Sequence, residues 1–250
     1  MIEILDPLKL DKYINEGLLD DIKKYSLLDD NRIGWNYCFD YIWLETELEK
    51  ELSKISDNIQ NIKIVDIGGG PGAIHGFLEA KYGIDIINVD MARWDEDYVD
   101  LVGDFNNHAF RESNNLTNID FIISTSAFEH NKPSNHAILV KNCLESLSER
   151  GRLLTTFAIT DKNKIQKFKK SSQWNLTSKI ITEIYGEKIE NFSNYGEIWK
   201  RWHSHQIISR EYANRYGKFN SIDPKFLSIG ANIPKSNIKN QIIRKTYFLS

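Results

Sequence analysis

Cysteine is nearly absent. Cys38 and Cys143 are the only two in 250 residues; they match no metal-binding spacing, and a lone distant pair is a poor basis for a disulfide. Reduced thiols in a cytoplasmic protein fit them best. Net charge is scarce too: 32 Lys and Arg against 35 Asp and Glu leave −3, so no global attraction to nucleic acid is expected. The one basic run, KNKIQKFKK from Lys162 to Lys170, reads as a solvated helix face. No apolar run approaches the ~20 residues that span a bilayer. The acidic start MIEILDPLKLDKY lacks the apolar segment of a signal peptide. Proline (5) and glycine (14) are few, and no repeat, low-complexity block or Pro/Gly/Ser linker divides the chain. What is left is one large soluble domain, or one core with attached elements.

From Ile62 to Ile159 strand and helix patterns alternate. IKIVDI is an apolar run ending at glycines, a buried strand. AIHGFLEAKYG follows as a helix with Gly83 as its stop. IDIINVD and VDLVGD are the second and third strands, and IDFIIST is the fourth, almost wholly apolar as for a strand covered on both faces. PSNHAILVKNCLESLSERG reads as a helix ended by Gly151, and RLLTTFAI as the fifth strand. This alternation predicts an α/β fold with a doubly wound, mostly parallel sheet.

The flanks differ from this core. Residues 1–58 read as a helical N-terminal segment or lid, ending in the amphipathic DYIWLETELEKELSKI. Within NRIGWNYCFDYIWLE, aromatics stand at every second position from Trp35 to Trp43, and positions two apart do not share a helical face. That predicts a partly extended stretch over a ligand, with core packing as the plainer reading. Residues 160–208 read as an irregular, aromatic-rich insertion after the fifth strand, a pocket wall for substrate within a 59–250 core. SREYANRYG predicts a short helix capped by Ser209 and ended by Gly217, and FLSIGANI with QIIRKTYFL a closing pair of strands.

Gly68, Gly70 and Ala73 satisfy a dinucleotide fingerprint, yet three neighbours speak against a pyrophosphate. Pro71 removes one backbone N–H from a helix N-terminus that an anion would use. Asp66 aims a carboxylate at the turn, and its repulsion of a phosphate would cost on the order of several kcal/mol. A ligand with an ammonium and a sulfonium would instead be attracted.

VDIGGGPG (Asp66, Gly68, Gly70, Gly72) resembles the glycine motif of class I S-adenosylmethionine (SAM)-dependent methyltransferases, and the resemblance runs through 62–159. It implies a Rossmann-like, seven-stranded sheet with SAM as cofactor and S-adenosylhomocysteine (SAH) as product. By this resemblance Asp66, Gly68, Gly69, Gly70 and Gly72 hold the amino-acid tail, Asp90 the ribose hydroxyls and Met91 the adenine face. Asp104 and Phe105 meet the adenine edge, and Ser124 lies on the fourth strand near the cofactor. IDFIISTSAFEHN resembles the family's fourth-strand motif ending in Glu129 and His130. The Trp-x-Tyr segment at Trp35 resembles one found in methyltransferases of surface-polysaccharide clusters.

In-line methyl transfer needs positioning above all, and for an alcohol acceptor a base as well. His130, past the fourth strand at the carboxyl edge of the sheet, is one candidate. His203 and His205, alternating in KRWHSHQ, would share one side of an extended segment. His75, His108 and His136 are assigned packing or surface roles. Glu129 with His130, His203 and His205 could also chelate Mg²⁺, Mn²⁺ or Zn²⁺; Ser126 replaces the first Glu of the family's E-x-x-E-H metal motif, so no metal is expected. The acceptor is expected to be a small polar metabolite, such as a nucleotide-linked or capsular sugar, handled in the cytoplasm without nucleic acid or membrane, and an oligomer is possible. RNA or protein methylation, a catalytically silent SAM- or SAH-binding protein and an NAD-linked oxidoreductase are the other readings.

Overall fold

The computed structural model describes residues 1–26, 33–34, 37–55, 59–94, 98–168, 172–216 and 226–240, with only the backbone at 168 and 212–216. β2 (Ile64–Ile67) is the apolar run before the glycines, and all four of its residues are buried. It pairs in parallel with β3 (Ile86–Asp90) on one side and β5 (Ile119–Thr125) on the other. β3 continues in parallel to β4 (Leu101–Val102), and β5 to β6 (Leu147–Thr160). Beyond β6 comes β9 (Leu227–Pro234), antiparallel, and then β1 (Ile2–Ile4). The main path is thus β1-β9-β6-β5-β2-β3-β4. An antiparallel hairpin, β7 (Gln166–Phe168) with β8 (Gln173–Thr177), adds to the far end of β6. The expected mixed α/β architecture with a mostly parallel centre is present.

Helices cover both faces. Thr156 in β6 borders Asp40 of α3 (Tyr37–Leu52). Its neighbour Phe157 stands 5.1 Å from the His136 ring of α6 (Pro133–Ser146) and stacks on Tyr185 of α7 (Ser178–Tyr185). Successive strand residues point to opposite faces, so α3 lies on one side and α6 with α7 on the other. α1 (Pro7–Asn15) and α2 (Leu18–Lys23) pack on α3. α4 (Ala73–Tyr82) follows the glycine turn and ends at Gly83, whose φ of +64° closes the helix as expected, and α5 (His108–Ser113) follows β4.

Several sequence expectations are corrected. Residues 37–43 form no extended stretch: they begin α3, a helix buried on nearly every side from Cys38 to Leu48 because the sheet lies under it and α1 and α2 lie over it. Trp35 lies outside the described residues. The helix read through Gly151 stops at Ser146, and Leu147 already pairs with Ile119. Gly151 is needed for close approach instead: a Cβ there would lie 2.6 Å from the Ile119 carbonyl oxygen. The insertion is not irregular. It carries β7, β8, α7, α8 (Tyr195–Ser204) and the start of α9 (Gln206–Tyr216), which begins before Ser209. In the basic run, Gln166–Phe168 is strand and not helix. The third strand shrinks to two residues. QIIRKTYFL and Gly217 lie outside the described residues, and the partner that flanks β9 on its outer side is the N-terminal tripeptide β1.

Candidate active site

Strand β2 delivers Asp66 to the carboxyl edge of the sheet, directly beneath the glycine turn. The turn reverses through Gly68 (φ +74°) and Gly70 (φ +49°), conformations that cost a side-chain-bearing residue. It is also too tight for side chains: a Cβ on Gly68 would stand 2.5 Å from Ala127 Cβ, and one on Gly69 would meet Asp66 Oδ2 and, at 2.7 Å, Asn88 Oδ1. Asn88 of β3 donates from Nδ2 to the Gly70 carbonyl oxygen at 2.9 Å, which ties the turn to β3.

Asp66 is fully buried, and neither carboxyl oxygen has a hydrogen-bond partner among the described residues. Burial, with Asp90 nearby as a lesser cause, pushes its pKa up to about 7. His75 Nδ1, at 3.9 Å from Oδ2, is too far for a hydrogen bond. Such a carboxyl gains most from a cationic group delivered by a ligand. At the N-terminus of α4 the phenolic oxygen of Tyr41 lies against the backbone, 3.4 Å from where a Gly72 Cβ would be and near Ala73. A phosphate would need that space. An orphaned acid and an occupied helix end together fit a nucleoside with a cationic tail.

The other expected cofactor residues are spread along the same edge. Asp90 ends β3, and its Oδ1 accepts from Ala92 N at 2.9 Å. Met91 beside it is 72% exposed, an apolar side chain free to cover a ring. Trp94, also exposed, reaches back over the turn, with its indole nitrogen 3.0 Å from where a Gly70 Cβ would be. Asp104 is exposed and accepts from Asn106 N at 2.8 Å; Phe105 is buried, with its carbonyl oxygen held by Arg111 Nη1 at 2.6 Å. The Ser124 hydroxyl spends its proton within the sheet, donating to Ile67 O at 2.7 Å.

The three candidate histidines are not drawn into one constellation by their contacts. His130, in the 3₁₀ turn Phe128–His130, is exposed. His203 lies within α8, with Nδ1 2.6 Å from Trp199 O and its ring stacked on Trp199. His205, just past the end of α8, bonds Asp11 Oδ1 at 2.8 Å and lines a cavity of about 740 Å³ with Asp11, Asp20, Arg201 and Arg210. None of that cavity's walls belongs to the glycine turn. The shared extended side expected for His203 and His205 does not exist, because residue 203 is helical. Among the described residues no three His, Cys, Asp or Glu gather as a metal cluster.

Two buried carboxyls stand near the turn that carries His130. Glu129, next to His130, turns inward and is 4% exposed, and Asp40 on α3 is fully buried. Asp40 Oδ2 accepts from Ser126 Oγ at 2.8 Å. Burial raises Asp40 to about 7 and Glu129 to about 8. Sequence reading missed Asp40 and Asn88, and it weighed Glu129 only as part of the fourth-strand motif or as a metal ligand. The available signal was a polar residue inside an otherwise apolar buried run, YCFDYIW for one and IINVD for the other.

The methyltransferase-domain family matches residues 42–193. Among solved structures, a protein described as a sarcosine dimethylglycine methyltransferase from Galdieria sulphuraria is 18% identical, with 87% of this chain and 98% of that one aligned at a TM-score of 0.51. The O-methyltransferase of a trans-AT PKS multienzyme of Brevibacillus brevis, in complex with SAH, is 13% identical over 86% of each chain at a TM-score of 0.44. Geranyl diphosphate C-methyltransferase from Streptomyces coelicolor, in complex with Mg²⁺, geranyl diphosphate and SAH, is 11% identical over 76% of this chain and 79% of that one, at 0.46. At such identities the likeness concerns the fold. No curated protein matches the chain.

Proposed function

The chain belongs to the methyltransferase-domain family and is a class I SAM-dependent methyltransferase, and on that premise we propose that it O-methylates a small polar metabolite in the cytoplasm, such as a nucleotide-linked or capsular or lipopolysaccharide sugar or a phosphate-bearing precursor. Bound SAM supplies an electrophilic methyl group on a sulfonium. The observation that carries the reading is Asp66, buried with both oxygens unpartnered beneath a turn whose helix end Tyr41 occupies. In this reading Asp66 takes the ammonium of the cofactor, and Gly68, Gly69, Gly70 and Gly72 let its tail lie against backbone. Asp90 takes the ribose hydroxyls, Met91 covers the adenine, Asp104 and Phe105 border its edge, and Ser124 braces β5 against β2 below it.

The acceptor would enter at the same carboxyl edge, where Asp40, Ser126 and Glu129 offer polar rather than apolar walls. The near-balanced charge of −3 gives polyanions no broad attraction. Among the described residues no helix is long and apolar enough to cross a membrane. Within residues 1–58, α3 would border the cofactor through Tyr41, and 160–208 would wall the acceptor side.

Calorimetric titration with SAH tests the core of this proposal. Wild type should bind, and Asp66→Asn, which keeps the shape and removes the charge, should weaken binding at least about tenfold, or ~1.4 kcal/mol. Equal affinity in both proteins would reject the role given to Asp66. Release of SAH from SAM in the presence of nucleotide-linked sugars tests the acceptor class.

A further inference from the structure

Glu129 and Asp40 reach the same point from different elements. Asp40 projects from the first turns of α3, and Glu129 from the 3₁₀ turn after β5. Between them stands Ser126, whose φ of +50° is unusual for a residue with a side chain. Its N–H is held by the Thr156 carbonyl oxygen at 3.0 Å and its hydroxyl by Asp40. Glu129 lies near the same hydroxyl and within reach of the charge of Asp40. The turn they form abuts the donor loop, since only the missing side chain of Gly68 lets Ala127 sit against it.

Asp40 Oδ1 and Glu129 Oε2 are buried with no hydrogen-bond partner among the described residues. A purely structural carboxyl is normally satisfied, because an unpaired buried oxygen destabilises the fold. Among the described residues no cation figures in the shift of either one: Asp40 lies near the hydroxyls of Ser126, Thr156 and Ser228, and Glu129 near Ser126 and Asp40. The titratable groups that sense the pair are Cys38 and Tyr41 on α3 and Tyr185 on α7, each kept neutral by burial.

We propose that Asp40 and Glu129 form the proton-accepting wall of the acceptor site, taking the proton of a hydroxyl group as it is methylated; this rests on the O-methyltransferase reading above. The acceptor oxygen bonds the methyl carbon as the carbon–sulfur bond breaks, and the breaking bond's electron pair stays on sulfur. The hydroxyl proton passes to the Glu129 carboxylate, is shared with Asp40 across Ser126, and then leaves to solvent. Each carboxyl disfavours ionisation of the other, so the pair retains a proton near neutrality, and Glu129 becomes the free base as pH rises through about 8. A single base suits an uncharged hydroxyl, which brings one proton and no charge.

The test follows SAH release by the full-length protein at saturating SAM, with pooled nucleotide-linked sugars, from about pH 5.5 to about 9.5. Wild-type kcat should rise with pH and level off above about 8, the value to which Glu129 is pushed. Glu129→Gln should lower kcat by about a hundredfold or more and remove the rising limb, with SAH affinity kept within about twofold. Asp40→Asn, which removes the neighbouring charge, should move that limb to lower pH. Both are isosteric and delete a buried charge, so both should fold. A wild-type rate within about threefold of Glu129→Gln at every pH would overturn the assignment. Failure of wild type to bind SAH would count against the SAM-binding reading, and loss of the carboxylate effect with binding intact counts against the pair alone.

Discussion

Asp66 shows how burial sets the charge of a residue before any ligand arrives. Its usual pKa of 3.8 rises to about 7 in the fold because burial removes solvent, with the nearby charge of Asp90 as a lesser cause. The folded value is the higher one, so the stability this group contributes is intact below pH 3.8 and lost as pH climbs through about 7. Asp40 and Glu129 act in the same direction, up to about 7 and about 8. His136 acts oppositely: burial among Phe128, Phe157 and Tyr185 lowers it from 6.5 to about 3, so its contribution is present above 6.5 and lost as pH falls towards 3. A cationic tail placed on Asp66 would draw its pKa back down. SAH binding near pH 7 should therefore release protons, seen as a calorimetric enthalpy that changes with the ionisation heat of the buffer. Asp66→Asn should reduce that dependence, and an unchanged one would show that the carboxyl is already ionised or remote from the ammonium.

Among the elements, α3 joins the sheet to the site. Trp43 lies flat against β9 where Gly230 leaves room: a Cβ there would overlap the indole, with Trp43 Cδ2 at 2.5 Å. The indole nitrogen also donates to Glu3 Oε1 at 3.3 Å. Gly230→Ala should therefore force α3 off β9 and cost ~2–3 kcal/mol in denaturant unfolding. Because Tyr41 and Asp40 ride on the same helix, SAH affinity should fall with it. A stable variant with unchanged affinity would mean that α3 can slide without disturbing the site. The helix was legible in part from DYIWLETELEKELSKI, but its start was not. Aromatics at alternate positions suggest a strand when one face is assumed buried; α3 is buried all round in its first turns, so its start carries no face-defining period.

Across the molecule, the chain's first residues close the sheet. Ile2, Ile4 and Leu5 are at most 1% exposed, and β1 lies against β9, which lies against β6. Trp202 of α8 donates to Leu5 O at 2.7 Å, and Arg201 pairs with Asp6 through two contacts of 2.9 and 2.7 Å. The N-terminus and the insertion after β6 thus stabilise one another over nearly two hundred residues of sequence. Ile4→Ala should cost ~2–4 kcal/mol by thermal or denaturant melting, whereas Leu8→Ala, 64% exposed, should stay within ~0.5 kcal/mol. Equal effects would mean that β1 is not part of the cooperative core.

The alternation of apolar strands with helices, the glycine turn and the order of Asp66, Asp90 and Asp104 along the chain were determined by the sequence itself, because period, glycine conformation and spacing are local properties. Which carboxyls are buried without partners among the described residues, which ring lies at the end of α4, and the pairing of His205 with Asp11 were decided only by tertiary structure. Those features depend on residues 30 to more than 180 positions apart meeting in one low-dielectric space, and no local pattern encodes that meeting.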